Sequence, residues 1–417
     1  MNHDPLIQND AIVLGILACI LAGVFITAHS EHPFWKKFYT YVPSLLLCYF
    51  LPSVLTSLGV YSGEVSKLYF VSSRYLLPAC LVLLTLSIDL PGIMRLGPKA
   101  LIMFFTGTVG IVIGGPLAIL IFSFVSPETV GGAGPDAVWR GMTTIAGSWI
   151  GGGANQTAMK EVFEVGDQVF SAMIAVDVIV ANIWMAVLLY MAGRSKEIDQ
   201  RVGADTSAIE SLRKNVEAFQ EKSARIASLT DLMKIAAVGF GMTGLAHLLA
   251  DWIAPFIKRT APGLDGFGLT STFFWIVVIA TTAGILLSFT KARNLEGAGA
   301  SKVGSAFLYI LVASIGMKMD ITAVAESPGL FLVGMVWIGF HATLLLIVAK
   351  IIKAPVFFMA VGSQANVGGA ASAPIVASAF HPALAPVGVL LAVLGYALGT
   401  YGALICGWLM GWAAPVT

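Results

Sequence analysis

Asp177 is the first residue in this sequence whose type and setting could do chemistry. It lies in Ser171-Ala-Met-Ile-Ala-Val-Asp177-Val-Ile-Val-Ala-Asn182, a run that is otherwise apolar. A carboxylate inside hydrocarbon is costly unless it is paired, hydrated or neutralised, so an acid there is a functional candidate by default. A proton or a sodium ion could satisfy it; sodium, a hard cation, takes carboxylate, hydroxyl and carbonyl oxygens. Asn182, on a slightly different helical face, is a weaker second member of this ion-coupling pair.

Two other stretches combine glycine with polar amides and hydroxyls. The first reads Gly147-Ser148-Trp149-Ile150-Gly151-Gly152-Gly153-Ala154-Asn155-Gln156-Thr157-Ala158-Met159, and the second Gly362-Ser363-Gln364-Ala365-Asn366-Val367-Gly368-Gly369-Ala370-Ala371-Ser372-Ala373-Pro374. Glycine lets a backbone leave the helix and a ligand come close. Inside a membrane the freed N–H and C=O groups are tolerated only where they line a cavity or meet protein. Helix N-termini at such a break favour an anion and freed carbonyls a cation. The candidate solute-binding residues are therefore Ser148, Gly152, Gly153, Asn155, Gln156 and Thr157 in the first stretch. In the second they are Ser363, Gln364, Asn366, Gly368, Gly369 and Ser372. Glycines that serve only close helix packing are the alternative, but packing does not explain the crowding of amides.

The elements that carry these residues belong in lipid. Of 417 residues, 57% are hydrophobic and 11% charged, with a mean hydropathy of +0.87, whereas soluble domains carry roughly 25% charged residues. Net charge is +1, which argues against a nucleic-acid partner. Apolar runs at about 11–28, 39–61, 75–90, 100–125 and 169–192, then 231–257, 270–290, 303–318, 329–350 and 383–413, read as ten spans. The first, without a preceding Lys or Arg or a clean cleavage site, reads as a retained helix rather than a signal peptide. The stretches 141–159 and 355–376 fit poorly as ordinary spans and read as broken or re-entrant.

With ten crossings, Lys67, Arg74, Arg140, Lys160, Lys258, Arg259 and Lys318 fall on one face and the other 17 of 24 basic residues on the opposite face. The positive-inside rule then sets both termini outside an inner (cytoplasmic) membrane. Residues 194–228, with balanced charge, read as a cytoplasmic helical linker. Residues 1–193 and 229–417 flank it as two repeats: the Gly-Ser starts and Gly-Gly-Ala centres of the two stretches coincide, and Ile88-Asp89-Leu90 before Pro98 matches Met319-Asp320-Ile321 before Pro328. Five crossings per repeat, an odd number, make the repeats inverted, as in secondary transporters. Asp177 has no counterpart near Val393.

Other reactive types have plainer readings. Cys19, Cys48, Cys80 and Cys406 are far apart and apolar in context, which indicates packing rather than disulfides or zinc. Asp89 and Asp320 read as helix caps, His247 and His341 as packing histidines, and Lys160 and Glu161 as the water-facing end of the first broken segment. Ser148 and Ser363 have no obvious His partner in sequence, which disfavours an intramembrane enzyme.

On the Gly-Ser-Trp-Ile-Gly-Gly-Gly-Ala-Asn-Gln-Thr-Ala-Met stretch and on Asp177 in its setting, the chain resembles the YjcL-like family of uncharacterised multi-pass membrane proteins, a domain of unknown function. That family is grouped with the cation/proton antiporter and anion transporter superfamily. The resemblance implies an all-α polytopic fold with panel and core domains, two crossed, interrupted helices in the core, and alternating access of elevator type. Val176 and Val178 flank Asp177 where antiporters of that superfamily commonly carry adjacent acids. The resulting expectation is a sodium- or proton-coupled transporter of a small organic anion, such as an amino acid, short peptide or carboxylate. A cation/proton antiporter is the alternative. The expected partners are the solute, the coupling cation and the bilayer, with no cofactor beyond sodium and a homodimer left open.

Overall fold

Hydropathy this high leaves the backbone no partner but itself, and helices are the outcome. The computed structural model describes residues 5–42, 44–63, 65–204, 206, 209, 226–267, 269–318, 328–381 and 384–415, among which there are helices and no strands. Most of the 194–228 linker and the whole Met319-Asp320-Ile321 landmark lie outside the described residues.

Among the described residues, seven helices are long and apolar enough to cross a membrane: Asp10–Ala28, Leu68–Leu86, Pro98–Val125, Asp167–Gly193, Leu229–Thr260, Gly329–Ile351 and Val387–Ala413. The other three of the ten expected spans are shorter. The 39–61 run is divided into Pro33–Tyr41 and Ser44–Ser57, with Pro52 inside the second helix. Thr272–Ser288 and Ala300–Gly316 have 17 residues each, about 25 Å at 1.5 Å per residue against a hydrocarbon core of roughly 30 Å. Thr272–Ser288 also turns by 94° into the short 3-10 segment Lys291–Ala298.

The two glycine-rich stretches form helical hairpins. In the first, Val138–Val162, helical geometry fails at Gly152, whose φ of 74° and ψ of −175° only glycine adopts readily. The chain there reverses. A Cβ built on Gly147 would lie 2.6 Å from the Asn155 carbonyl oxygen, Trp139 stacks edge-on with Phe163 at 6.1 Å, and Arg140 donates to the Phe163 carbonyl. The second hairpin comprises Val356–Val367 and Gly369–Phe380, 12 residues each, with Gly369 at φ 58° in its turn. Phe357 and Phe380, at its base, sit 5.3 Å apart. Of the broken and re-entrant readings of these stretches, the limbs take the re-entrant one and fold back, rather than crossing as the interrupted helices implied by the family resemblance, because aromatic contacts at each base and a positive-φ glycine at each tip close the turn.

Both hairpins lie along the last helix, Ala385–Ala413, and approach from its opposite ends. Gly411 and Gly407 of that helix face Trp139 and Phe163 at the first base, and Gly399 faces Gly151 near the first tip. Gly388 faces Ala373 and Pro374 of the second hairpin, and Gly395 faces Ala365 close to its tip. A 12-residue limb reaches about 18 Å, roughly half-way through a bilayer, so the tips meet in the middle. There a Cβ on Gly369 would come within 3.9 Å of the Gly152 Cα.

Three further helices brace the second hairpin. Pro98–Val125 begins on Gly97, at φ 86°, and its Gly110 and Gly114 let His341 and Trp337 of Gly329–Ile351 approach to 3.0 and 2.7 Å of a built Cβ. From the short helix Ser195–Val202, Asp199 accepts the Val356 N–H at 2.8 Å, capping the limb from outside. Burial holds the Asp199 carboxyl above the usual carboxylate range, against the lowering effect of that bond.

In a variant lacking the four native cysteines, the pairs Trp139→Cys/Phe163→Cys and Phe357→Cys/Phe380→Cys should each be bridged by a short bifunctional maleimide in native membranes. A straight helix would hold 139 and 163 about 36 Å apart. Failure of both pairs to bridge would rule out the hairpins.

Candidate functional site

The first tip is built around Asp177. Trp149 Nε1, on the inbound limb, donates to Asp177 Oδ1 at 2.7 Å, and Gln156 Nε2, on the returning limb, donates to Oδ2 at 2.7 Å. Ser148 also stands against the carboxylate. Asp177 is 4% exposed, and no Lys, Arg or His among the described residues pairs with it. One carboxylate on Asp167–Gly193 therefore clasps both limbs of the hairpin. Tyr49 OH reaches Gln156 Oε1 at 3.4 Å and extends the network towards Ser44–Ser57.

Asn155 ties this tip to the last helix. Its Nδ2 donates to the Gly151 carbonyl at 2.9 Å and the Tyr396 carbonyl at 3.2 Å, while its Oδ1 accepts from Thr400 at 2.6 Å. The approach requires glycine on both sides: a Cβ on Gly399 would lie 2.5 Å from the Gly151 Cα.

Away from its Asp199-capped base, the second hairpin is held by neutral groups. His341 Nδ1 lies 2.9 Å from the Gly107 carbonyl and so carries the proton, leaving Nε2 to accept from Ser363 Oγ at 2.8 Å. Ser363 Oγ in turn accepts from Trp184 Nε1 at 2.7 Å. Asn366 donates to the carbonyls of Phe104 and Gly362 and accepts from Thr108. Gln364 Nε2 donates to Ser372 Oγ at 2.7 Å, joining the limbs next to the turn.

The candidate residues thus divide. Gly152, Gly153, Gly368, Gly369, Gln364 and Ser372 gather where the tips meet, with Gly152, Gly153, Gly368 and Ser372 half-buried. Gln156 and Ser148 face Asp177, Thr157 bonds the Gly153 carbonyl of its own limb, and Ser363 and Asn366 are fully buried and turned towards neighbouring helices. Asn182 donates to the Val178 carbonyl of its own helix and does not join Asp177.

Sequence reasoning missed the surroundings of this site. A cavity of about 560 Å³ runs between Leu68–Leu86, Lys291–Ala298, Ala300–Gly316 and the last helix, lined among others by Asp89, Arg293, Glu296 and Tyr396. Tyr396 is the ring that a Cβ on Gly152 would meet, at 3.4 Å. It lies about 16 Å along the helix from Ala385, so the cavity extends to the ring beside the first tip, and no described hairpin residue lines it. Asp89 caps the segment Leu90–Met94 through the Gly92 N–H and pairs with Arg293 at 2.8 Å.

The opposite end carries a cluster of ion pairs. Arg74 pairs with Glu161 at 3.3 Å, and Asp167 takes Lys160 at 2.7 Å and Lys318 at 3.4 Å. Tyr69 bonds Glu161, and Arg74 lies over the Phe273 ring at 4.2 Å. Lys160 and Glu161 are not water-facing, as their sequence suggested, because partners on other helices bury them. Of the cysteines, Cys48, Cys80 and Cys406 are buried as packing residues and Cys19 is exposed; His247 packs with its Nε2 on the Arg74 carbonyl.

This architecture is that of a multi-pass, all-helical membrane protein. The chain belongs to the family described as "Protein of unknown function (DUF819)", whose model matches residues 15–411. It is 23% identical over 416 residues to the "Uncharacterized membrane protein YjcL" of Bacillus subtilis (strain 168), with 96% of each chain covered.

Asp177→Ala would orphan two buried donors, Trp149 Nε1 and Gln156 Nε2, at a cost of about 2–4 kcal/mol. Its thermal unfolding midpoint in detergent should drop clearly, and Asp177→Asn, which keeps one acceptor, should fall between it and wild type. An unchanged midpoint for the Ala variant would mean that the clasp does not hold the hairpin.

Proposed function

We propose that the protein is a secondary active transporter that moves a small organic anion by alternating access, coupled to sodium or protons. The observation that carries this reading is the pair of hairpins approaching from opposite ends and meeting at mid-depth, beside Tyr396, which lines a cavity shared with Asp89 and Arg293. Irregular backbone at the middle of a membrane, lining a cavity, is the usual setting of a transporter's site. The opposed hairpins also support a pair of inverted repeats, and the resemblance to the cation/proton antiporter and anion transporter superfamily supports an elevator-type motion.

In this reading the charged cluster around Glu161 and Asp167 is the closed gate and the Asp89–Arg293 end is the open vestibule, cytoplasmic by the positive-inside rule. Asp177 serves the coupling ion: a cation or proton would compete with Trp149 and Gln156 for its oxygens, linking ion binding to the shape of the first tip.

Purified protein in proteoliposomes should accumulate labelled organic anions when a sodium or proton gradient is imposed, and Asp177→Asn should uncouple uptake from the gradient. Proton movement driven by cations in vesicles holding no organic solute would select the antiporter instead. Absence of both activities would refute transport. In a cysteine-free background, Ser372→Cys should react with an impermeant maleimide from the vestibule end only, and from both ends once Arg74→Ala opens the cluster. Equal reactivity from both ends before that change would contradict the gate.

One observation favours a different class. The Ser363–His341 bond, at 2.8 Å, has the geometry of a nucleophile and its base. Both residues are fully buried, however, and Trp184 occupies the hydroxyl that would have to attack. A fluorophosphonate probe should leave Ser363 unlabelled; labelling that disappears in Ser363→Ala would establish an intramembrane hydrolase.

A further inference from the structure

The amide of Gln364 carries a consequence for the solute. Gln364 is 2% exposed, and its Oε1 is buried with no hydrogen-bond partner, although Nε2 is fixed to Ser372. An orphaned carbonyl at this depth is expensive, and native structures rarely keep one without a use. Its place is telling: a Cβ on Gly368 would lie 2.3 Å from Gln364 Nε2, so the amide lies directly over the turn that faces Gly152.

A second feature of the same spot has the opposite polarity. Each returning limb begins at its glycine turn. The Gly369–Phe380 helix has Gly368 as its cap and no side-chain cap bond, and in the first hairpin the turning residue is Gly152, which has no side chain to offer. First-turn N–H groups of both limbs therefore start at the meeting point, where they favour an anionic group.

We infer that the solute carries both a carboxylate and an N–H donor close together, as an α-amino acid or the terminus of a short peptide does. The carboxylate lies on the N-termini of the returning limbs, and the ammonium or amide N–H donates to Gln364 Oε1. Sodium at Gln364 is the poorer occupant. A hard cation takes about six oxygens, whereas Gln364 offers one carbonyl, both Asp177 oxygens are engaged by Trp149 and Gln156, and no cluster of three acidic, His or Cys residues occurs among the described residues. This inference rests on the transporter reading and narrows its solute from organic anions in general to amino-bearing ones.

The test is ligand-induced thermal stabilisation of the purified protein, with flux in proteoliposomes, using pairs matched in skeleton. The probes are the twenty L-amino acids and their dipeptides with alanine, each beside the carboxylic acid lacking the amino group, and sodium chloride alone. At least one amino-bearing probe should stabilise and be transported while its nitrogen-free partner is not. Gln364→Leu should weaken that binding at least tenfold, as loss of one charge-assisted hydrogen bond requires, and Gln364→Glu, which keeps an acceptor, should restore most of it. Binding and flux of the nitrogen-free acids equal to their amino partners would overturn this inference, leave the transporter reading standing, and assign Oε1 to a bound water. Stabilisation by sodium alone that Gln364→Leu abolishes would overturn it in favour of an ion site. No response to either member of any pair, by shift or by flux, would overturn both. The wild-type comparison decides the matter even if Gln364→Leu fails to fold.

Discussion

Backbone that leaves the helix in the middle of a membrane has to be satisfied by protein or by ligand, since lipid offers nothing. The two glycine turns place that demand at one spot, and much of the surrounding structure answers it. Asn155 takes the Gly151 carbonyl and is itself held by Thr400, and that arrangement is possible only because Gly399 brings the last helix against the tip. The hairpin bases are closed by aromatic rings, with Arg140 on the Phe163 carbonyl and Asp199 on the Val356 N–H meeting the free backbone groups there.

Some of this was legible in the sequence because it is local. Glycine beside amides in an apolar chain marks a break, and Gly151 to Thr157 and Gly362 to Ser372 do hold both hairpin turns. The direction of the chain after each break was not legible. It depends on Trp139 meeting Phe163 and on Asp177 reaching across from a neighbouring helix, contacts that leave no period in the sequence. For the same reason Ser363 showed no base, since its partner His341 belongs to another helix and is set by Gly107 on a third. Lys160 and Glu161 were misread because a charge at the end of an apolar run looks solvated unless its partners, here Arg74, Asp167 and Tyr69, are known.

The two ends of the molecule differ in kind as well as in shape. At the end opposite the cavity, charges from the first hairpin and from Asp167 pair with Arg74, Lys318 and one another, and two of these five side chains, Lys160 and Glu161, are well shielded from solvent. Breaking buried pairs without new partners is strongly unfavourable, so that end opens only if its charges are hydrated as it parts. At the cavity end one pair among the described residues, Asp89 with Arg293, lines the cavity. Arg293 is one-third exposed, where an ion pair contributes little.

The hairpins themselves are held by unlike means, and the difference has a direction. The second is secured by Trp184, Ser363 and His341, a chain of neutral donors and acceptors that a cation has no reason to enter. The first is secured by a carboxylate whose two partners are neutral donors, so its negative charge is hydrogen-bonded but not cancelled. A proton would turn one of its acceptors into a donor facing Trp149 or Gln156, and a metal cation would have to displace one of them. Either event loosens the first tip and leaves the second unchanged. In the transport reading proposed above, ion sensitivity resides in one hairpin while the orphaned acceptor Gln364 Oε1 belongs to the other, and the close approach of Gly152 and Gly369 joins the two.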